Sequence, residues 1–130
     1  LADRLQDAAW QAREHAWCQY SGFAVGAALE ADDGRCFVGC NVENASYGLT
    51  VCAERAAVSA AIAAGARRFR RIVVVAELEP PVPPCGACRQ VLMEFAPDLL
   101  VESANRTTRR TWQLRELLPD AFTASRRSHD

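Results

Sequence analysis

Apolar residues recur at three- and four-residue spacing from the start of the chain. Leu5, Ala8, Ala9, Ala12 and Ala16 form one stripe, which predicts an amphipathic surface helix over residues 2–17 lying on a sheet. The period changes at Phe23. Large and small residues alternate through Leu29, Asp32-Asp33-Gly34 supplies a turn, and extended character resumes from Arg35 to Val42, so a β-hairpin is predicted. By parity Cys36, Val38 and Cys40 share one strand face and read as a buried apolar row, with Asn41 and Glu43 on the opposite face.

Beyond Glu43 the pattern becomes helical again. Thr50 is a cap for a helix running to about Ala64, with Gly65 ending it, and the helix is dense enough in alanine to approach a sheet closely. The segment Ile72–Leu78, apolar except at Glu77, predicts a buried strand, bounded by the prolines at 80, 81, 83 and 84. A second helix is expected from Pro84 to Phe95, then a strand over Leu99–Ala104. A polar turn at Asn105–Arg110, an extended Thr111–Leu114 and a short helix toward Phe122 complete the series. Helices alternating with buried strands predict a layered α/β/α domain over residues 1–124, with 125–130 as a loose tail. Glu102 breaks its strand's apolar character. It implies an edge strand or a charge that meets a neighbouring subunit's arginine.

Composition narrows the function classes. The chain has 130 residues, half of them apolar, with a formal net charge of −1. That balance provides no general attraction for nucleic acid or anionic membranes, and the local arginine pairs are offset by acidic residues. No uninterrupted apolar stretch reaches spanning length, and the first helix reads as amphipathic rather than as a signal peptide, so a cytoplasmic location is expected. Six cysteines are present. Their placement fits metal ligation in a reducing compartment better than a disulfide framework.

The informative pair of segments is Val51-Cys52-Ala53-Glu54-Arg55 and Pro84-Cys85-Gly86-Ala87-Cys88. Cysteines at helix starts meet free N–H groups and the positive end of the dipole, both of which favour thiolates. Three sulfurs leave the fourth tetrahedral position of a zinc ion open to water, the arrangement of a catalytic rather than a closed site. Glu54, two residues after Cys52, is placed to reach that water and not the metal, which suits proton transfer. Arg55 is expected to donate to a ligand sulfur and offset the negative charge of three thiolates. The bland alternative is a structural zinc knuckle in which Cys36 and Cys40 join Cys85 and Cys88 and close the metal. A noncatalytic zinc scaffold of that kind would show a fourth protein ligand, or Glu54 turned away. Trp10 and Trp17 read as packing residues, Cys18 as a partly buried thiol, and His15 and His129 have no ligand spacing.

Cys52-Ala53-Glu54 with Pro84-Cys85-Gly86-Ala87-Cys88 resembles the zinc-dependent cytidine deaminases, specifically the small homotetrameric kind with three cysteine ligands. This signature and its chemistry are established properties of zinc deaminases. The likeness runs from about Tyr20 to Phe122 and includes Tyr20–Leu29, Gly39–Gly48 and Leu117–Phe122. It implies a mixed five-stranded sheet between helices, and one zinc per subunit. It also implies hydrolytic deamination of free cytidine and 2'-deoxycytidine, with zinc-bound hydroxide attacking C4 and Glu54 shuttling the proton to N3. By the same resemblance Asn41 and Glu43 hold the sugar 3'-hydroxyl, Phe23 packs on the ring and Ala53 lies among the substrate contacts. Phe122 of one neighbouring subunit, and Ala45 and Tyr47 of another, complete the site, so the tetramer shares its sites. A modified aminopyrimidine nucleoside of the blasticidin type is the alternative substrate, and the Asn41-x-Glu43 pair argues against it. The absence of an anion nest disfavours a nucleotide. The chain departs from the family at Cys18-Gln19-Tyr20-Ser21, where a proline commonly precedes the tyrosine. The turn leading to Phe23 is thereby expected to be looser.

Overall fold

A computed structural model describes residues 3–124. The expected tail at 125–130, with His129, lies outside the described residues, as does position 2 at the start of the predicted first helix. In chain order the elements are α1 (Arg4–Arg13), β1 (Val25–Ala31), β2 (Cys36–Cys40), a short 3-10 turn (Tyr47–Leu49), α2 (Ala53–Ala63), β3 (Phe69–Ala76), α3 (Gly86–Phe95), β4 (Leu100–Ala104), β5 (Arg109–Gln113) and α4 (Leu114–Leu117). The strands form one mixed sheet in the order β2-β1-β3-β4-β5. Only β3 and β4 run parallel, and their connection is the segment that carries α3.

Period-two alternation sorts the strand residues between two cores. Ala27, Leu29, Ile72, Val74 and Val101 face α2 and α3, where Ala57, Ala61, Leu92 and Met93 meet them. Ala28, Val73, Val75 and Ala104 face the opposite way, against Leu5 and Ala9 of α1. The result is the expected α/β/α sandwich, with a one-helix layer on one side.

Several boundaries differ from the sequence reading for identifiable reasons. α1 ends at Arg13 rather than at residue 17, because Trp17 leaves the helix to bridge Val42 beyond β2. Cys52, not Thr50, is the N-cap of α2, since Val51 still bridges Val42 and delays the helix. α3 begins at Gly86, with Cys85 as its N-cap, rather than at Pro84. β3 begins at Phe69 and stops at Ala76, so Leu78 lies outside it. Gly65, with φ +91°, takes the left-handed turn that ends α2.

Two residue assignments are corrected. Cys36, Val38 and Cys40 are not a buried row: Cys36 and Val38 are exposed and Cys40 is half-buried. β2 is an edge strand, and α1 lies chiefly over β1. Glu102, by contrast, is buried in the interior strand β4, neither at an edge nor left to a neighbour. Pairing of β3 with β4 sets Val73 opposite Glu102, and Arg71 of the same chain reaches the carboxylate at 3.2 Å while Gln6 of α1 donates at 3.1 Å. Arg71 also bonds Asp3, which caps α1 by accepting from the N–H groups of Leu5 and Gln6. Helix start and sheet are therefore joined through the Arg71 guanidinium, with Arg109 of β5 reaching the same two carboxylates at 3.7 and 3.9 Å.

Candidate active site

The carboxyl ends of the parallel strands β3 and β4 leave a crevice of the kind in which open α/β sheets bind ligands. α2 and α3 both begin there. Their N-caps are Cys52 and Cys85, and neither helix start is satisfied by a side-chain hydrogen bond. Cys88 follows one turn into α3 and is fully buried. The sulfurs of Cys52, Cys85 and Cys88 lie within 4.8 Å of one another, and those of Cys85 and Cys88 are 3.5 Å apart. Sulfurs bound to one tetrahedral ion at a bond length of about 2.3 Å stand about 3.8 Å apart, so this cluster fits zinc with little rearrangement. It is the one such group of three among the described residues. Cys36 and Cys40 do not belong to it, which removes the closed four-sulfur knuckle.

Electrostatics at the cluster follow from its packing. Cys52 falls well below the usual thiol range, to about 5, because the Cys88 thiol donates to it and the Arg55 guanidinium lies beside it, against the opposing effect of burial. Cys88 is pushed up by that same donation and by its own burial. Thiolate character therefore concentrates first on Cys52, at the positive end of α2. Arg55 reaches Cys52 Sγ at 3.8 Å and donates to the Thr50 carbonyl at 3.1 Å, while its Nε is buried without a partner.

Glu54, in the first turn of α2, is 6% exposed. Burial pushes its carboxyl up to about 7, and the negative charge of Cys52 adds to the effect. It lines a mostly apolar cavity of about 340 Å³ together with Cys52, Ala53, Cys85, Phe23 and Asn41. A second hollow of about 310 Å³ is lined by Tyr20, Ser21, Glu43, Tyr47 and Thr50, and Thr50 belongs to both. The structure thus divides the predicted substrate contacts. Phe23, Asn41 and Ala53 stand with the sulfurs, Glu43 and Tyr47 line the outer hollow, and Ala45 and Phe122 line neither. Phe122 is 79% exposed and touches the rest of the chain through its carbonyl, which accepts from Gln90. Thr50, Ser103 and the wall at Pro81–Pro84 also line the inner cavity. In the sequence Thr50 reads as a helix cap and the prolines as a strand boundary, and the proline run abutting Cys85 is the signal for this wall. A larger hollow of about 660 Å³ opens along α1 on the opposite face, where Asp3 pairs with Arg71 and Arg109.

The family model for the cytidine and deoxycytidylate deaminase zinc-binding region matches residues 2–103. A cytidine deaminase of Halalkalibacterium halodurans is 53% identical over 116 residues, covering 88% of each chain. This chain belongs to the zinc-dependent cytidine deaminase family. The deaminase is also 55% identical over 85 residues to a cytidine deaminase of Sporosarcina psychrophila, a match spanning 65% of this chain and 62% of that protein. The crystal structure of cytidine deaminase from Burkholderia pseudomallei superimposes on the deaminase with a TM-score of 0.88 at 53% identity, covering 91% of this chain and 96% of that one. The mixed sheet and its flanking helices are therefore the family's fold, and the three-cysteine group of the deaminase lies in its zinc-binding region. No helix among the described residues is long and apolar enough to cross a membrane.

Proposed function

We propose that this deaminase hydrolyses free cytidine and 2'-deoxycytidine to uridine and 2'-deoxyuridine, releasing ammonia. The observation that carries the reading is an apolar cavity of about 340 Å³, room for a pyrimidine ring, lined by one buried carboxyl and by two cysteines of the three-sulfur cluster, with Cys88 buried behind them. Cys52, Cys85 and Cys88 would hold one zinc, which would supply Lewis acidity and lower the pKa of the attacking water toward neutrality. Glu54 takes one proton of the attacking water and delivers it to N3 as the oxygen adds to C4, then carries the remaining hydroxyl proton to the amino group, so that the C–N bond breaks, ammonia leaves and the C4 carbonyl forms. Burial keeps that carboxyl out of bulk water and close to the sulfurs. Arg55, beside Cys52, offsets the charge of the thiolates.

Phe23 and Ala53 pack on the base, while Asn41 and Glu43 orient the sugar across the Thr50 boundary between the two hollows. The exposure of Tyr47 and Phe122 supports a homotetramer in which these residues and Ala45 complete a neighbour's site. A reducing, cytoplasmic setting suits a centre built from free thiols.

The test is steady-state deamination of cytidine by the purified, zinc-loaded protein, followed by the ultraviolet change on conversion to uridine. Glu54→Ala is expected to keep its zinc and lose at least about 10³-fold in kcat. Absence of turnover by the zinc-loaded wild type, or retained turnover in the variant, overturns the reading.

A further inference from the structure

Between Trp17 and Val25 the chain forms no helix or strand, yet this stretch carries Phe23 to the mouth of the inner cavity. Gln19 leaves it without the constraint of a proline ring. The stretch is held instead by two side chains that leave the end of β2. Asn41 grips it from one side: its Nδ2 donates to the Phe23 carbonyl at 2.8 Å and its Oδ1 accepts from the Val25 N–H at 2.9 Å. Glu43 grips it from the other, one carboxylate oxygen accepting from the N–H groups of Tyr20 and Ser21, both at 3.1 Å. The second oxygen accepts from the Ser21 hydroxyl, and that hydroxyl accepts in turn from the Phe23 N–H at 3.0 Å. Among the described residues Ser21 is thus the one side chain bonded both to the carboxylate of the outer hollow and to the backbone that carries the aromatic ring of the inner cavity. The same contacts hold the Glu43 carboxyl below the ordinary glutamate range, with the Ser21 side chain as the largest cause.

We propose that Ser21 is a positioning residue, whose hydroxyl ties the Glu43 carboxylate to the Phe23 amide so that the sugar-facing group and the ring-packing group are set as one unit. The proposal rests on the nucleoside reading above and adds a residue to it. An exposed serine in a turn has an ordinary use, the satisfaction of a local N–H. A local role of that kind makes no demand on a carboxylate 22 positions away, and it leaves substrate affinity unmoved.

Ser21→Ala removes the acceptor of the Phe23 N–H and one of the three donors to Glu43, while Ser21→Thr keeps the hydroxyl. In the zinc-loaded enzyme Ser21→Ala is expected to raise KM for cytidine about tenfold with kcat within about twofold, the size of losing one charge-assisted hydrogen bond that positions substrate equally in ground and transition states. Ser21→Thr is expected to restore KM. Hydrogen exchange at the Phe23 amide in substrate-free protein provides a reading independent of turnover, expected to quicken at least about fivefold in Ser21→Ala and to recover in Ser21→Thr. Unchanged exchange, or quickened exchange with an unchanged KM, overturns the proposal. A wild-type protein that fails to deaminate cytidine refutes the proposed function instead, and the clamp is then judged on exchange alone.

Discussion

Gly39→Ala tests how the sheet places the chemistry. Gly39 lies in β2 opposite Ala27, under the first turn of α2. A Cβ built there meets the Ala53 carbonyl oxygen at 2.4 Å, the Ala57 nitrogen at 2.5 Å and the Ala56 Cβ at 2.9 Å. Ordinary contact needs about 3.5 Å, so the helix start must retreat by about 1 Å, and because the obstacles are mostly backbone, no rotamer change relieves them. Overpacking of this kind costs about 3 kcal/mol, which lowers the Tm of a domain this size by roughly 10 °C. The displaced turn carries Ala53 and Glu54 and is capped by Cys52. A 1 Å misplacement of reacting groups costs about 10²-fold in rate, so kcat/KM for cytidine should fall by about that factor in the fraction that remains folded. The assay combines thermal unfolding, zinc per folded chain and steady-state deamination. Gly26→Ala is the companion variant, because its Cβ meets the Ala9 carbonyl oxygen at 2.0 Å and so pushes α1 from the opposite face. It is expected to destabilise at least as much while zinc per folded chain is retained. Wild-type Tm and kcat/KM in Gly39→Ala, or equal zinc loss in both variants, would refute the argument that this close approach sets the site.

Two further outcomes follow from the side-chain networks. Arg71→Ala leaves the Glu102 carboxylate buried with only Gln6 and the longer, solvent-exposed contact of Arg109 at 3.9 Å, so unfolding in urea at neutral pH should show a loss of about 3 kcal/mol, most of it recovered when Glu102→Leu is added. Burial raises the pKa of Asp3, but Arg71 and the α1 amides lower it further, so its net contribution to stability is full above about pH 4 and is lost as pH falls through the depressed value. Acid titration of stability should therefore be shallower in Arg71→Ala. At the metal cluster, competition with a chromophoric chelator is expected to show Cys88→Ser losing zinc affinity by more than the roughly 100-fold that an outer partner's removal costs. Cys36→Ser should match the wild type in zinc affinity and turnover, since Cys36 lies outside the cluster.

Much of this molecule is legible from neighbouring residues alone. The alternation from Phe23 and the turn at Gly34 specify the hairpin, the apolar run through Val75 a buried strand, and the cysteines at two helix starts the donor set, because each signal spans only a few positions. Glu54 stood out beside Cys52 for the same reason. Helix starts were displaced by one or two residues, since a cap is settled by where the chain leaves its last bridge, as Val51 does with Val42. Parity showed that Cys36, Val38 and Cys40 share a face, but whether that face is covered depends on where α1 lies over the sheet. Glu102 read as an anomaly until strand order put Arg71 beside it, 31 positions away. The separation of Glu43 from the inner cavity, and its grip on Ser21, likewise depend on how the segment before β1 folds back past the end of β2. Periodicity and residue chemistry are properties of short stretches, so the sequence determined the elements and the reactive groups. Which face is buried, which charge is answered and which hollow a side chain enters depend on strand order and long-range packing, and only the tertiary structure decided them.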